Sequence, residues 1–222
     1  MKAMILAAGR GERMRPLSDT CPKPLLQAGP NRLIEYHIFA LKKAGVSELV
    51  INTGWLADMI HQEIGDGADY GLRIRYSDEG YPALETAGGI VNALPLLGDE
   101  PFIVVNGDIF TDFDFSRLHL APDDLGHLVL IPNPPHHPHG DFGLHGHRVT
   151  GNPERSWTFS GVALYRPSLF SGLAPGRRPL KPVLDEAIGN DRLSGEIHLG
   201  RWYDVGTPER LEELDQRLAD HV

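Results

Sequence analysis

The feature that most constrains this chain is the alternation, over its first half, of short strand-like runs with segments of helical period. Lys2–Ala7 and Phe102–Val105 are apolar runs of strand length, and Glu48–Asn52 and Leu72–Tyr76 read as strands between them. Leu33, Ile34, His37, Ile38 and Leu41 recur on one helical face, with Gly45 where a C-terminal cap belongs. Ala57–Ile64 reads as a short helix stopped by Gly65-Asp66-Gly67. Thr86 reads as the cap of a helix that Pro95 closes. Alternation of this kind predicts a right-handed, parallel α/β sheet. Ligands of such sheets sit beyond the carboxyl ends of the strands. The loops after Ala7, Asn52, Ser77 and Val105 should therefore line one site.

The second half is less regular. His127–Ile131, Phe159–Tyr165 and Trp202–Val205 read as strands, and Lys181–Ile188 and Pro208–Ala219 as helices. Asn133–Asp141, a stretch of Pro, His and Gly, can only be loop.

Composition narrows the functional classes. With 222 residues, 41% hydrophobic and 23% charged, the chain is a globular domain, not a disordered one. No apolar run approaches the roughly 20 residues of a membrane span, and the first residues lack the long apolar core of an export signal. Cys21 is the sole cysteine, which excludes an intrachain disulfide and a cysteine zinc site, and a cytoplasmic location is expected. The net charge of −9 argues against nucleic acid and anionic membranes as partners. It leaves room for small anionic substrates, held by a few Arg, Lys and backbone N–H groups or through Mg²⁺.

The loop after the first strand is where such groups collect. Leu6-Ala7-Ala8-Gly9-Arg10-Gly11-Glu12-Arg13-Met14-Arg15-Pro16-Leu17 leads to Cys21-Pro22-Lys23-Pro24-Leu25. Glycines let backbone N–H groups approach an anion, and Arg13, Arg15 and Lys23 add positive charge. A dinucleotide fingerprint would need glycine where Met14 stands, and the Gly-Lys-Ser/Thr of a P-loop is absent.

This segment closely resembles the signature of the nucleoside-diphosphate-sugar pyrophosphorylases, the nucleotidyltransferases that activate sugar 1-phosphates, with Ser18 in place of the common Thr. The resemblance implies a Rossmann-like α/β fold with a mixed, mostly parallel sheet flanked by helices. It implies a single domain over 1–222, with a nucleotide-binding half (1–115) and a sugar-binding half (116–222). Ala8, Gly9 and Gly11 would meet the nucleotide, Arg13 the triphosphate, and Lys23 the phosphates from the other side. Arg15 falls at a variable position. Asp108, in Val-Val-Asn-Gly-Asp, looks like one Mg²⁺ ligand of the family. Asp204, in Trp202-Tyr203-Asp204-Val205-Gly206-Thr207-Pro208, looks like the second. Asp112 and Asp114 read as loop or cap residues. Glu79 to Gly89 resembles the base-recognition loop, in which Glu79 and backbone groups around Ala87 and Gly88 would read the base. Asn106 is assigned to the nucleotide site.

The sugar side matches less. Gly143 and Ser160 are the expected sugar contacts, Phe159 stands where relatives carry an amide, and Arg155 is the only substitute for a missing Glu-Lys-Pro lysine. The His136, His137 and His139 loop reads as a cover for the sugar pocket in preference to a metal site. Cys21 reads as incidental, and Trp55 and Trp157 as packing or rim residues.

The short chain, the Leu-Glu-Thr-Ala-Gly-Gly loop and the Asn-Pro-Pro-His-His-Pro-His-Gly-Asp-Phe-Gly stretch look most like the branch that uridylylates N-acetylmuramate 1-phosphate in cell-wall recycling. That implies UTP and a sugar 1-phosphate as partners, Mg²⁺ as cofactor, and a monomer or small homo-oligomer. Arg201 is the candidate cation for the lactyl carboxylate of that sugar. The alternatives are a mannose-1-phosphate guanylyltransferase, a glucose-1-phosphate uridylyl- or thymidylyltransferase, or a catalytically silent nucleotide-sugar sensor.

Overall fold

Strand β1 (Lys2–Leu6) buries both faces, Ala3 and Ile5 on one side and Met4 on the other, as a strand inside a covered parallel sheet must. The computed structural model describes residues 1–80, 82–151 and 156–219. After β1 the first half runs through α1 (Leu17–Thr20), the two-residue strands β2 (Gln27–Ala28) and β3 (Asn31–Arg32), α2 (Leu33–Lys43), β4 (Glu48–Thr53) and α3 (Ala57–Ile64). It continues with β5 (Arg73–Asp78), α4 (Glu85–Leu97), β6 (Phe102–Asn106) and β7 (Ile109–Thr111). The second half holds β8 (Gly126–Ile131), β9 (Phe142–His145), β10 (Arg148–Thr150), β11 (Ser156–Tyr165), α5 (Lys181–Gly189), β12 (Leu193–Ile197), β13 (Trp202–Asp204) and α6 (Pro208–Ala219).

One nine-stranded sheet runs through both halves in the order β5-β4-β1-β6-β11-β8-β12-β10-β9. The first four strands are mutually parallel; β11 enters antiparallel between β6 and β8, and β12 returns parallel to β8. Helices cover both faces. Ile34, Ile38 and Leu41 of α2 and Ile60 and Ile64 of α3 pack on Ile5, Ile51 and Val105. Ile90, Ala93 and Leu97 of α4 and Val183, Leu184 and Ala187 of α5 pack on Met4, Val104 and Leu128. A third cluster joins Met14 of the opening loop to Phe110, Val205 and Leu214, so α6 locks the loop against β7. The sheet is thus a mixed, Rossmann-like α/β sheet between helical layers.

Gly45 ends α2 as its sequence position suggests. Its φ is +85°, Val46 N–H bonds to the Leu41 carbonyl (3.1 Å) and Gly45 N–H to that of Lys42 (2.9 Å), a Schellman arrangement. Helix α4 differs from expectation. It starts at Glu85, not after a Thr86 cap, and passes through Pro95 to Leu97. Pro95 sits in the last turn, where its missing donor costs one bond, and Gly98 N–H closes the helix on Leu94. The short strands β9, β10 and β12 have no counterpart in the sequence reading: β9 and β10 form a short hairpin around Gly146, and β12 carries Gly195 at its centre. No helix among the described residues is long and apolar enough to cross a membrane.

Candidate active site

Where β1 ends, the chain turns into the glycine-rich loop and is fixed from three directions. Ala7 N–H donates to Asn52 Oδ1 (2.7 Å), Trp55 N–H to the Ala8 carbonyl (3.3 Å), and Ser18 Oγ–H to the Gly11 carbonyl (2.8 Å). Gly11 adopts φ +67°, and a Cβ there would stand 3.4 Å from Lys23 Cβ. The loop therefore folds directly onto Lys23, which is only 6% exposed. Trp55 braces the outer side through Nε1–H to the Ser18 carbonyl (2.9 Å), with the Arg10 guanidinium 4.5 Å above its ring. Arg15 pairs with Glu12 and Asp19 on the surface.

Asn52, 3% exposed at the end of β4, links this loop to the next. Its Nδ2 donates to Glu79 Oε1 (2.5 Å), and Glu79 Oε2 accepts from Leu84 N–H (2.8 Å). The Glu79 carboxylate thus shapes the loop before α4. Gly89 leaves room for it, since a Cβ there would collide with Oε1.

Two aspartates from distant segments are brought together here through the backbone. Gly107 N–H bonds to the Leu6 carbonyl (2.9 Å), and a Cβ on Gly107 would lie 2.7 Å from that same oxygen, so only glycine lets the chain turn here and present Asp108. Strand β13 then pairs antiparallel with β7: Asp204 lies opposite Ile109, and Val205 N–H bonds to the Asp108 carbonyl (3.0 Å). Residues 108 and 204 are adjacent in space. Lys23 Nζ holds Asp108 Oδ2 at 2.9 Å. Asp204 Oδ2 is held by Arg210 Nη1 (2.6 Å) and faces His136 Nε2 (3.3 Å). A Cβ on Gly206 would stand 3.1 Å from Asp204 Oδ1 and 3.2 Å from Arg13 Nη2, which places the Arg13 guanidinium beside the pair. Behind them, His37 of α2 donates Nε2–H to the Ile109 carbonyl (2.8 Å). Burial lowers its pKa to about 4, so the ring is neutral.

Two cavities lie along the strand ends. The first, about 330 Å³, is lined by Ala8, Gly9, Gly11, Arg13, Lys23, Glu79, Asn106 and Asp108, with Asn52, Thr86 and Gly206. The second, about 440 Å³, shares Glu85, Thr86 and Asn106 with it and is walled by Asp141, Phe142, Phe159, Pro179, Leu180, Lys181 and Leu184. Asn106 stands at the junction, where a bulge in β11 brings Gly161 (φ +83°) against it; a Cβ there would lie 2.6 Å from Asn106 Nδ2.

Several expected contacts lie elsewhere. Ala87 is buried in the core, and Gly88 spends its N–H on the Arg178 carbonyl (3.1 Å), so Glu85 and Thr86 face the cavity instead. Gly143 is inside the sheet, paired with Thr150 and Ser156, and its neighbours Asp141 and Phe142 form the wall. Ser160 is buried in the β11 bulge, where its Oγ accepts from Val162 N–H (3.1 Å) and its carbonyl accepts from Trp202 Nε1 (2.9 Å). Arg201 lies outside both cavities, bound through its backbone N–H (2.8 Å) and Nε (3.3 Å) to Asp112 and 6.0 Å from the Phe110 ring. Arg155 falls outside the described residues. Asp114 caps a turn through Ser116 N–H, and burial raises the Cys21 thiol pKa. The histidine loop touches both ends of the cleft: His136 faces Asp204, and His137 Nε2–H donates to Asp141 Oδ1 (3.1 Å).

The sequence reading passed over Asn52, Asp141, Phe142, Lys181 and Arg210. Asn52 carried a signal as a polar side chain at the end of a buried strand, and Asp141 and Phe142 stood in the quoted Gly-Asp-Phe-Gly stretch without a role. The others come from segments whose placement depends on the whole sheet.

Hard oxygen donors suit a hard divalent cation that takes its remaining ligands from phosphate and water, and Asp108 and Asp204 are such a pair. No group of three or more His, Cys, Asp or Glu among the described residues is arranged to hold a metal.

The profile of the Nucleotidyl transferase family matches residues 2–154, the segment that carries the glycine-rich loop, Lys23 and Asp108. The chain belongs to this nucleotidyl transferase family. It is 51% identical to an N-acetylmuramate alpha-1-phosphate uridylyltransferase of Neisseria meningitidis, over 99% of this chain and 98% of the relative. A protein of the same description from Caulobacter vibrioides is 30% identical over 98% of this chain and 97% of its own length. A crystal structure from Bacillus anthracis described as a glucose-1-phosphate thymidylyltransferase superposes with a TM-score of 0.86, covering 99% of this chain and 96% of that one at 21% identity, a likeness of fold. Within the nucleotidyl transferase family this chain is a sugar-1-phosphate nucleotidyltransferase.

Proposed function

We propose that the chain transfers a uridylyl group from UTP to N-acetylmuramate α-1-phosphate, releasing pyrophosphate and forming the UDP-sugar, in cytoplasmic recycling of peptidoglycan. The single observation that carries this reading is the meeting of Asp108 and Asp204 across β7 and β13, with Lys23 on one and Arg13 beside the other. The sugar and base come from the Neisseria relative, which matches over nearly the full length of both chains.

An oxygen of the sugar 1-phosphate attacks the α-phosphorus of the triphosphate, the bond to the bridging oxygen breaks, and pyrophosphate leaves. That nucleophile is already ionised at neutral pH, so no general base is required. The obstacle is repulsion between two polyanions, and positioned positive charge answers it. Lys23 is buried and fixed, suited to a phosphate at the loop, while Arg13 reaches the same space across Gly206. Mg²⁺ on Asp108 and Asp204 would supply charge neutralisation along the phosphates. The loop before α4, shaped by Glu79 and Asn52, offers Thr86 and Glu85 to the base or ribose. Asn106 stands where nucleotide and sugar would meet.

Pyrophosphate release across a panel of nucleoside triphosphates and sugar 1-phosphates, with Mg²⁺ and with EDTA, tests the reading. Release with UTP and N-acetylmuramate 1-phosphate, abolished by EDTA, is expected. Turnover confined to GTP with mannose 1-phosphate would overturn the specificity, and silence across the panel would overturn the activity.

A further inference from the structure

We infer that Lys181 determines sugar specificity by pairing with the lactyl carboxylate of the acceptor, an inference that rests on the reading above. N-acetylmuramate differs from N-acetylglucosamine by a lactyl ether, which adds one methyl and one carboxylate. A site that selects it needs a cation and an apolar surface side by side. The second cavity offers both. Lys181 is the only Lys or Arg among the described residues that line it, and Phe142, Phe159, Leu180 and Leu184 supply the apolar wall.

The other charges of that cavity are committed. Asp141 accepts from His137 and from Phe159 N–H (2.8 Å), and Glu85 pairs with Arg177 (2.7 Å). The Lys181 ammonium lies 5.1 Å from the centre of the Phe142 ring, against the same wall. Its present partner is Asp185, one helical turn along α5 and outside the cavity lining, at 2.6 and 2.9 Å. An exposed pair at this spacing is weak and easily exchanged for a carboxylate held in a cleft. Arg201, the cation that sequence position suggested, is bound to Asp112 outside the cavity.

The test compares kcat/KM for N-acetylmuramate 1-phosphate and N-acetylglucosamine 1-phosphate, with UTP and Mg²⁺ saturating, in the wild type, Lys181→Met and Lys181→Arg. Lys181 has a side chain 57% exposed, so these variants should fold, and thermal melting checks it. Lys181→Met is expected to lose about tenfold or more with the muramate and to stay within about twofold with the glucosamine, as befits one charge-assisted contact. Lys181→Arg should restore most of the preference. Equal losses on both sugars would assign Lys181 to the shared phosphate and overturn the inference, as would no change on either. If the wild type failed to turn over the muramate at all, the parent reading would fall with it. Wild-type turnover with unaltered selectivity in the variants would sink this inference alone.

Discussion

Residues 8–13 reach the first cavity as one unbroken loop, whereas the second is walled by side chains from Asp141–Phe142, Phe159 and residues 179–184. The nucleotide side is built largely of backbone at strand ends, braced by Asn52 and by Gly107, whose place nothing larger can take. The sugar side is built of side chains from β9, β11, the segment before α5 and α5 itself, brought together by the sheet and its helical cover. The first kind of wall suits a polyphosphate, whose chemistry is the same for every substrate. The second kind presents exposed side chains such as Lys181 beside core residues such as Phe142 and Leu184, and the exposed ones suit a surface that chooses among sugars.

The largest effect should come from the seam between β7 and β13. Asp108→Asn and Asp204→Asn should each lower kcat for pyrophosphate release by about a thousandfold, with secondary structure unchanged in circular dichroism. Full activity in Asp204→Asn would break the pairing that β7 and β13 suggest. Next is His37, which supports Ile109 from behind. Its folded pKa is about 4 against an ordinary 6.5. The folded state therefore resists protonation that the unfolded chain accepts. The neutral ring's contribution is fully present above pH 6.5 and is lost as pH falls from there toward 4. The loss amounts to about 3 kcal/mol at most. Chemical denaturation between pH 7 and 4 should show that slope, and His37→Gln should flatten it.

Gly161→Ala touches both cavities at once, because its Cβ would press on Asn106 and its φ is left-handed. A stability loss of about 1–3 kcal/mol, with kcat/KM lowered for both substrates, is expected from melting and steady-state rates. A loss confined to one substrate would show that the shared wall is less shared than its geometry suggests. The smallest effect should be that of Arg201→Ala, with turnover of N-acetylmuramate 1-phosphate within about twofold of wild type, since its bonds go to exposed Asp112.

The same contrast explains what could be read in advance. Gly11, Arg13, Lys23 and Asp108 stand at strand ends and loop turns, where order in the chain is order in space, and their placement followed from local chemistry. Asp204 needed the family pattern, because only the pairing of β13 with β7 brings it to Asp108. Gly143 and Ser160 were legible as residues but not as positions. Each lies one place from a residue that faces the cavity, and in a strand a single step turns a side chain to the other face. Lys181 gave no sign in the sequence, being one lysine opening one helix.

The ten-residue strand β11 is bonded to β6 on one side and to β8 on the other, so the parallel and antiparallel parts of the sheet share one continuous ladder. Over Val162–Tyr165 it is a beam held at both edges, by β6 on one side and β8 on the other. The histidine loop hangs off this beam and bridges the cleft through side chains alone, His136 toward Asp204 and His137 on Asp141.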